Sequence, residues 1–337
     1  MHHGIFEFGK LFYQTLSSQR HRSTGKRIIH LKSDTRSHFK MAQKNLLYDL
    51  IDVSDPMVVL EEIKKIIGWV NETADLSHLD MIYGDIITLF QGRYPGYQAS
   101  NTKYHDLEHT NSVALATARL IHGCSLAGLV FSPDDLLLGV YAALFHDVGL
   151  IQTEDDRVGS GAKYTVGHEE RSSVFMGRYL SAKGFPRQRI EDCSHLIMCT
   201  LLSLSPKDIP FRTPEIENLG KIVGSADLMA QIADRYYLEK LLLLFQEFEE
   251  AGIPDFESEL DLLKKTEGFY KNVAKKRLTK DFSGISAHMT AHFKTRWDID
   301  RDLYAESIQK NIEYLKVLLK QAGDNILSVK ETLRRGL

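Results

Sequence analysis

SPDDLLLGVYAALFHDVG, residues 132–149, is the stretch that decides the fold class. Ser132 stands directly before Pro133, with two aspartates behind it, and this order predicts the first turn of a helix. Apolar residues then recur at helical spacing, and Asp147 falls on the stripe that includes Val140 and Leu144. A carboxylate at the end of a buried stripe is costly unless it is paired or bound to a cation. The stretch therefore predicts a core helix that delivers an aspartate to a polar site.

Helical periodicity continues on both sides of this stretch. Asp55-Pro56 and Thr213-Pro214 each place a capping side chain before a proline, and each pair predicts another helix start. The sequence contains neither a sustained alternation of apolar and polar residues nor a glycine-rich phosphate loop. We therefore expect an all-α, multi-helix bundle over residues 43–337.

The composition predicts a globular protein with one large domain and an appendage. The chain has 337 residues, of which 43% are hydrophobic, and a net charge of -3, so no basic field favours nucleic acid. The three cysteines form no CxxC pair, which predicts buried small hydrophobic residues in a reducing compartment. No apolar run approaches the length of a membrane span, and the first residues lack the apolar core of a signal peptide. A cytoplasmic protein without a membrane partner is expected.

Two segments leave alternatives open. Residues 1–42 are a basic N-terminal extension with few acids, which is either an arm for a phosphate surface or partner, or an extended lead-in. Near the other end, a long amphipathic helix is predicted from Ile299 to Leu319, with Gly323 behind it. That helix either closes the core or forms the contact of a homodimer.

Four segments place an imidazole or a carboxylate where an apolar helix face would otherwise continue. His105 and His109 are four residues apart, which predicts that they share one helical face. The other members are His146 with Asp147, His168, and Asp227. Neutral nitrogens combined with anionic oxygens suit a divalent metal ion, and helical bundles assemble such ligands from facing helices. The alternative is a set of buried polar residues that are hydrogen-bonded separately.

In the order of these motifs, the sequence resembles the HD superfamily of metal-dependent phosphohydrolases. The likeness is closest to the catalytic domain of class I cyclic-nucleotide phosphodiesterases. YHDLEHTNSV (104–113) resembles that family's YHNxxHAxxV segment, and ALFHDVG (143–149) resembles its HDxxH-containing helix. GHEERSSVFMGRYL (167–180) is similar to its NHH segment, and IVGSADLM (222–229) to the stretch with the distant metal-ligand aspartate. Residues 284–316 resemble the closing helices, so the likeness covers roughly residues 45–320.

The resemblance implies roles for individual residues. His109, His146, Asp147 and Asp227 would hold the first of two divalent metal ions, which are zinc, iron, manganese or magnesium. Asp147 would bridge to the second ion, which is otherwise bound largely by water, and His168 would lie near that ion or its water shell. His105 would be the general acid. The implied activity is hydrolysis of a phosphodiester, with cyclic nucleotides among the candidate substrates.

The sequence departs from the family pattern at two positions. Leu150 stands where HDxxH has its second histidine, and no glutamine stands near Phe282, where the family's purine-binding glutamine would fall. A pyrimidine or non-nucleotide phosphate ester therefore remains open. So do a phosphomonoesterase or nucleotidase on the same scaffold, and a non-catalytic HD-like signalling domain.

Four further residues have a functional and a structural interpretation each. Arg171 either contacts a substrate phosphate or lies on a solvated helix face, and His195 is either an extra ligand or a hydrogen-bonded core residue. Asp234 is the alternative to Asp227 as a ligand. His122, next to Gly123, is expected to cap the end of its helix.

Overall fold

The computed structural model describes residues 46–333, so the predicted basic extension lies outside the described residues. Within this range the regular structure is helical, and the only β-type pairings are two isolated bridges, Gln91–Ala99 and Tyr97–Thr153. The all-α prediction is therefore confirmed. None of the described helices combines the length and the apolarity needed to cross a membrane.

The α-helices of this range, in chain order, are α1 Leu46–Leu50, α2 Pro56–Val70, α3 Ser77–Phe90, α4 Leu107–Leu126, α5 Pro133–Phe145, α6 His168–Ala182, α7 Arg187–Ile197, α8 Pro214–Ala233, α9 Tyr237–Glu250, α10 Glu259–Phe269, α11 Met289–Trp297, α12 Leu303–Ala322 and α13 Ile326–Leu333. Short 3-10 helices lie at Val148–Leu150, Gly161–Tyr164, Pro206–Asp208 and Ile285–His288, and π-helical turns at Tyr270–Ala274 and Arg277–Asp281.

Capping side chains fix where three of these helices begin. Asp55 accepts a hydrogen bond from the Met57 amide at 2.9 Å, and Ser132 accepts one from the Asp135 amide at 3.1 Å. Thr213 does the same at the start of α8. Each bond satisfies an amide that has no partner inside the helix. The helix starts predicted from these residues are confirmed.

Helix α4 is the centre of the bundle. It packs against α2, α5, α8 and α11, and its residues from Val113 to Cys124 are buried without interruption. Because the whole circumference of α4 is covered, polar residues on it must find partners inside the protein. His122 illustrates this: α4 continues to Leu126, and the Nδ1 atom of His122 lies 2.9 Å from Nδ1 of His292. The prediction that His122 caps a helix end is wrong.

Helix α12 packs along α8 and contributes the buried residues Ile308, Ile312 and Leu315 to the core. It begins four residues later than the sequence predicted. Asp298 ends α11 in the left-handed region with a φ of 55°, and Asp302 then caps α12 by accepting from the Ala305 amide. The three cysteines are free and buried, as predicted.

Candidate metal centre

The predicted ligands come from the ends of three helices and the middle of a fourth. His109 lies in the first turn of α4, where the side chain of Asp106 accepts a hydrogen bond from its backbone amide at 2.8 Å. His146 and Asp147 follow the last residue of α5, and His168 is the first residue of α6. Asp227 lies inside α8. These elements bring the predicted ligands together around one point.

The contacts within this group are short. The Nε2 atom of His109 lies 3.3 Å from an Asp227 oxygen and 3.5 Å from Oδ2 of Asp147. The Nε2 atom of His146 lies 3.1 Å from the same Oδ2 and 3.8 Å from the Asp227 oxygen. Ligand atoms of His109, His146 and Asp227 all lie within 4.8 Å of one another. The two histidines and Asp147 are buried, while the Asp227 side chain remains 19% exposed.

Hydrogen bonds to backbone carbonyls fix the orientation of two imidazole rings. Nδ1 of His146 lies 2.8 Å from the Ala143 carbonyl oxygen, and Nδ1 of His168 lies 2.8 Å from that of Thr165. A carbonyl oxygen only accepts, so Nδ1 is the donor in both rings. When such a ring is neutral, its Nε2 atom carries a lone pair that is directed at the carboxylates. This is the arrangement found in metal-binding histidines.

The donor set fits a divalent cation. Nε2 of His146 and Oδ2 of Asp147 are buried and have no hydrogen-bond partner among the described residues. Ligands about 2.1 Å from a common ion are separated from one another by about 3.0–3.4 Å, which is close to the distances around Asp147. Two nitrogens and two carboxylates also match the preferences of borderline ions such as zinc and manganese. A cation would satisfy the buried atoms that the protein leaves unpartnered.

The pKa shifts of the site also indicate that its carboxylates require a positive charge. Burial lowers the pKa of His146, but the neighbouring Asp147 and Asp227 outweigh it and raise that pKa to about 9. Burial raises the pKa of Asp147, yet His146 and His105 bring it well below its ordinary value. Carboxylates this deeply buried need a positive charge beside them, and protons on the imidazoles supply it when no metal ion does.

Asp147 uses its two oxygens in different directions. Oδ2 faces His109 and His146, whereas Oδ1 lies 3.2 Å from Nε2 of His168. Burial lowers the pKa of His168, but Glu169 and Asp147 raise it to about 10. A carboxylate placed between two groups of nitrogens is able to bridge two cations. The structure thus brings His168 to the side of Asp147 opposite the other histidines.

His105 lies beside this group but not on helix α4. The helix begins at Leu107, so the prediction that His105 and His109 share one helical face is wrong. Asp106 ends the preceding extended segment as the helix cap, and the two imidazole centroids are nevertheless 6.0 Å apart. His105 therefore reaches the site from an irregular segment.

Glu247 of α9 is a partner of His105 that the sequence analysis missed. Nδ1 of His105 lies 2.7 Å from one oxygen of Glu247, and the other oxygen accepts from the Tyr104 amide at 2.7 Å. Burial lowers the pKa of His105, but Glu247 and Asp147 raise it above its ordinary value; the pKa of Glu247 is lowered. The sequence could have indicated that Glu247 is buried, because it follows Leu244 by three residues and therefore lies on the buried face of α9.

Hydrogen bonds of Ser172 connect the N-terminal part of α6 to the segment that carries His146. The Ser172 hydroxyl donates to the His146 carbonyl at 2.5 Å and accepts from the Gly149 amide at 2.8 Å. Gly149 leaves no space for a side chain, because a Cβ there would lie 2.1 Å from the His168 carbonyl oxygen. This close approach sets the distance between His168 and Asp147.

Three secondary candidates have structural roles instead. Arg171 donates to the Gly149 carbonyl at 2.7 Å and stacks on the Tyr164 ring at 3.5 Å, so it lies neither on a solvated face nor at the site. Asp234 caps the end of α8 and lies 2.6 Å from Lys240. His195 lies beside Phe211, outside the cavity described below.

Phe282 stands near the position where the resemblance implies a purine-binding glutamine. The structure places it in the core, fully buried against Gly224, with the Arg277 guanidinium 4.8 Å from its ring centre. It does not line the cavity, so its identity has no bearing on ligand recognition there.

The candidate ligands open into one end of a cavity of about 220 Å³. His105, His109, His146, Asp147, His168 and Asp227 all line it. Residues of α8, α9 and α10, of the segments 165–170 and 200–203, and of the connection between α9 and α10 form the rest of the wall. The predicted site residues therefore share a single space that a small molecule can enter.

Neither comparison of the sequence with models of known protein families nor comparison with curated proteins gives a match.

Proposed function

We propose that the protein is a metal-dependent phosphohydrolase that cleaves a phosphodiester with an activated water molecule. One observation carries the proposal: a histidine–carboxylate group fit for a divalent ion lies beside the His105–Glu247 pair at the same end of a cavity. A structural metal site requires no such pair, and a hydrogen-bonding pair alone requires no cluster of buried ligands. Together they are the parts that ester hydrolysis needs.

His109, His146, Asp147 and Asp227 would hold one ion, and Asp147 with His168 would face a second. Divalent ions bound there supply two effects, a lowered pKa of water and neutralisation of charge on the phosphoryl oxygens. The role of the protein is to keep these five residues, from three helix ends and α8, in place. The hydrogen bonds of His146 and His168 to backbone carbonyls do this for two of the rings.

His105 is proposed to donate a proton to the departing oxygen. Its Nδ1–H is held by Glu247, which leaves the Nε2 proton for the substrate and stabilises the imidazolium. Because the pKa of His105 is raised, the ring carries the proton that a poor alkoxide leaving group requires. The His105–Glu247 pair argues against a non-catalytic signalling domain, which has no use for a proton donor.

The alternative on the same scaffold is a phosphomonoesterase or nucleotidase. The two activities use the same ligands and the same acid, so substrate tests distinguish them. Purified protein with manganese or magnesium should be assayed with cyclic mononucleotides, bis-p-nitrophenyl phosphate and p-nitrophenyl phosphate. Cleavage of the diesters supports the main proposal, and cleavage of the monoester alone supports the alternative.

Asp147→Ala is the deciding variant, and Asp155→Ala, an exposed aspartate, is its matched control. We expect Asp147→Ala to lower hydrolysis by more than about 100-fold, the upper end of the cost of removing a residue that merely supports a metal ligand. Metal content, measured by elemental analysis, should fall in parallel. An Asp147→Ala protein with wild-type metal content and activity would overturn the assignment.

A further inference from the structure

The cavity continues beyond the candidate metal centre between α9 and α10. Helix α9 contributes Tyr237, Leu241, Leu244 and Phe248, whose spacing of four, three and four residues places them on one face. Eleven residues of helix correspond to about 16 Å, at 1.5 Å per residue. The face is therefore an elongated and mostly apolar wall, with the Tyr237 hydroxyl as its one polar side-chain group.

The opposite wall is apolar as well. Leu262, Thr266 and Phe269 of α10 line it, and Ile253 and Phe256 close it from the segment between the two helices. The one hydroxyl in this group, that of Thr266, donates to the Leu262 carbonyl at 2.8 Å. We call the space between these residues and the four of α9 the apolar slot.

Apart from the hydroxyls of Tyr237 and Thr266, the polar side chains that line the cavity lie outside α9 and α10. Gln231, the one amide side chain that lines it, is one turn after Asp227 on α8 and lies against the Tyr104 hydroxyl. The Thr200 hydroxyl donates to the Ile197 carbonyl at 2.8 Å. In the slot a nucleobase would find the hydroxyls of Tyr237 and Thr266 but no amide or charged side chain, and burying its remaining amino and carbonyl groups without partners is costly.

We propose that the apolar slot binds a linear alkyl chain, so that the substrate is an amphiphilic phosphate ester. The metal end suits the anionic phosphate and the slot suits the chain, which matches the division of polar and apolar groups in such a molecule. The substrate class rests on the proposed function for its phosphate end. The slot itself depends only on the apolar walls.

Binding of methyl-, butyl-, hexyl- and octylphosphonate tests the slot directly. Phosphonates carry the anionic group but no ester bond, so their Kd, measured by calorimetry, does not require catalysis. In manganese-loaded full-length protein we expect Kd to fall by up to about fourfold for each methylene that enters the slot. The dependence on chain length should persist after treatment with EDTA, because no slot residue is a candidate metal ligand.

Leu244→Gln and Leu244→Phe test the position of the chain. Both should reduce the ratio of octyl to methyl affinity, the first by adding a polar group to the wall and the second by narrowing the slot. Leu243→Gln is the matched control, because Leu243 is the neighbouring, partly buried residue and does not line the cavity. It should preserve the ratio. Leu244→Phe keeps the site apolar if the glutamine variant fails to fold.

The outcomes separate the slot from the proposed function. Equal Kd values for methyl- and octylphosphonate, or tighter binding of cyclic mononucleotides than of octylphosphonate, would overturn the slot even where diesters are hydrolysed. A chain-length dependence in a protein that cleaves no ester would retain the slot and reject the hydrolase. A dependence that Leu243→Gln abolishes and both Leu244 variants retain would place the chain elsewhere and overturn the assignment.

Discussion

If the proposed function holds, Glu247→Gln should shift the pH dependence of hydrolysis without removing His105, the proposed proton donor. Glu247 is 4% exposed, and its oxygens contact Nδ1 of His105 and the Tyr104 amide, both at 2.7 Å. Glutamine has the same shape, but its single oxygen accepts from only one of these two donors, and its amide nitrogen faces the other. The change removes the negative charge that stabilises the imidazolium.

The magnitude follows from the strength of the bond that changes. A hydrogen bond to a charged group contributes about 1.5–3 kcal/mol, which corresponds to about one to two pH units in the pKa of His105. The pKa of His105 is raised in the folded protein, so its proton is present at low pH and is lost as the pH rises through the folded value. In Glu247→Gln that loss should begin about one to two pH units earlier. Relative to the wild type, kcat of the variant should be about 10- to 100-fold lower at pH values above the wild-type pKa, and nearly unchanged below the pKa of the variant.

The assay is kcat for a phosphodiester with an alkoxide leaving group, such as a cyclic mononucleotide, at saturating manganese from pH 5 to pH 10. Glu249→Gln is the control, because it removes the same charge from an exposed position on the same helix. Its profile should superimpose on that of the wild type. A Glu247→Gln profile that is lowered equally at every pH, with an unchanged basic limb, would refute the role of Glu247 in setting the His105 proton.

Two further predictions concern stability and geometry. Burial and the nearby Arg119 lower the pKa of His292 to about 2 in the folded protein. As the pH falls below about 6.5, only the unfolded state binds this proton, so the folded state loses stability. His292→Asn should therefore reduce the difference in unfolding free energy between pH 7 and pH 5 by about 2 kcal/mol, measured by urea denaturation. Gly149→Ala should destabilise the fold by about 1–3 kcal/mol and lower metal affinity, because the added methyl displaces the His168 carbonyl. Gly177→Ala, where a Cβ meets only an ordinary contact on the same α6, should be neutral or stabilising in both assays.

Much of the fold could be predicted because its signals are local. Asp55, Ser132 and Thr213 each predict a helix that begins at the next residue, and the structure confirms these three helix starts. Apolar spacing along α5 also indicated that Asp147 is buried. The start of α12 was placed too early because its boundary depends on Asp298, whose left-handed conformation no apolar pattern reveals.

The site was predictable in its members but not in its arrangement. The candidate ligands could be selected because each interrupts an apolar stripe, and this signal does not require knowledge of the tertiary structure. Glu247 is 142 residues from His105, and only the packing of α9 against the site brings the two together. The relation of His105 to His109 was misread because their spacing of four residues suggests a helix, whereas the helix begins only after its cap, Asp106.

Helix α9 carries both the partner of His105 and one wall of the apolar slot, so a single substitution on it can affect both. Glu247, which holds His105, lies between Leu244 and Phe248 of the apolar slot on the same two turns. A change in the slot that moves α9 therefore alters both the binding of the chain and the proton on His105. Phosphonate binding requires no proton from His105, whereas the basic limb of the pH profile requires no chain in the slot. A Leu244 variant that weakens octylphosphonate but leaves the basic limb in place has changed the slot alone, and one that moves both has displaced the helix.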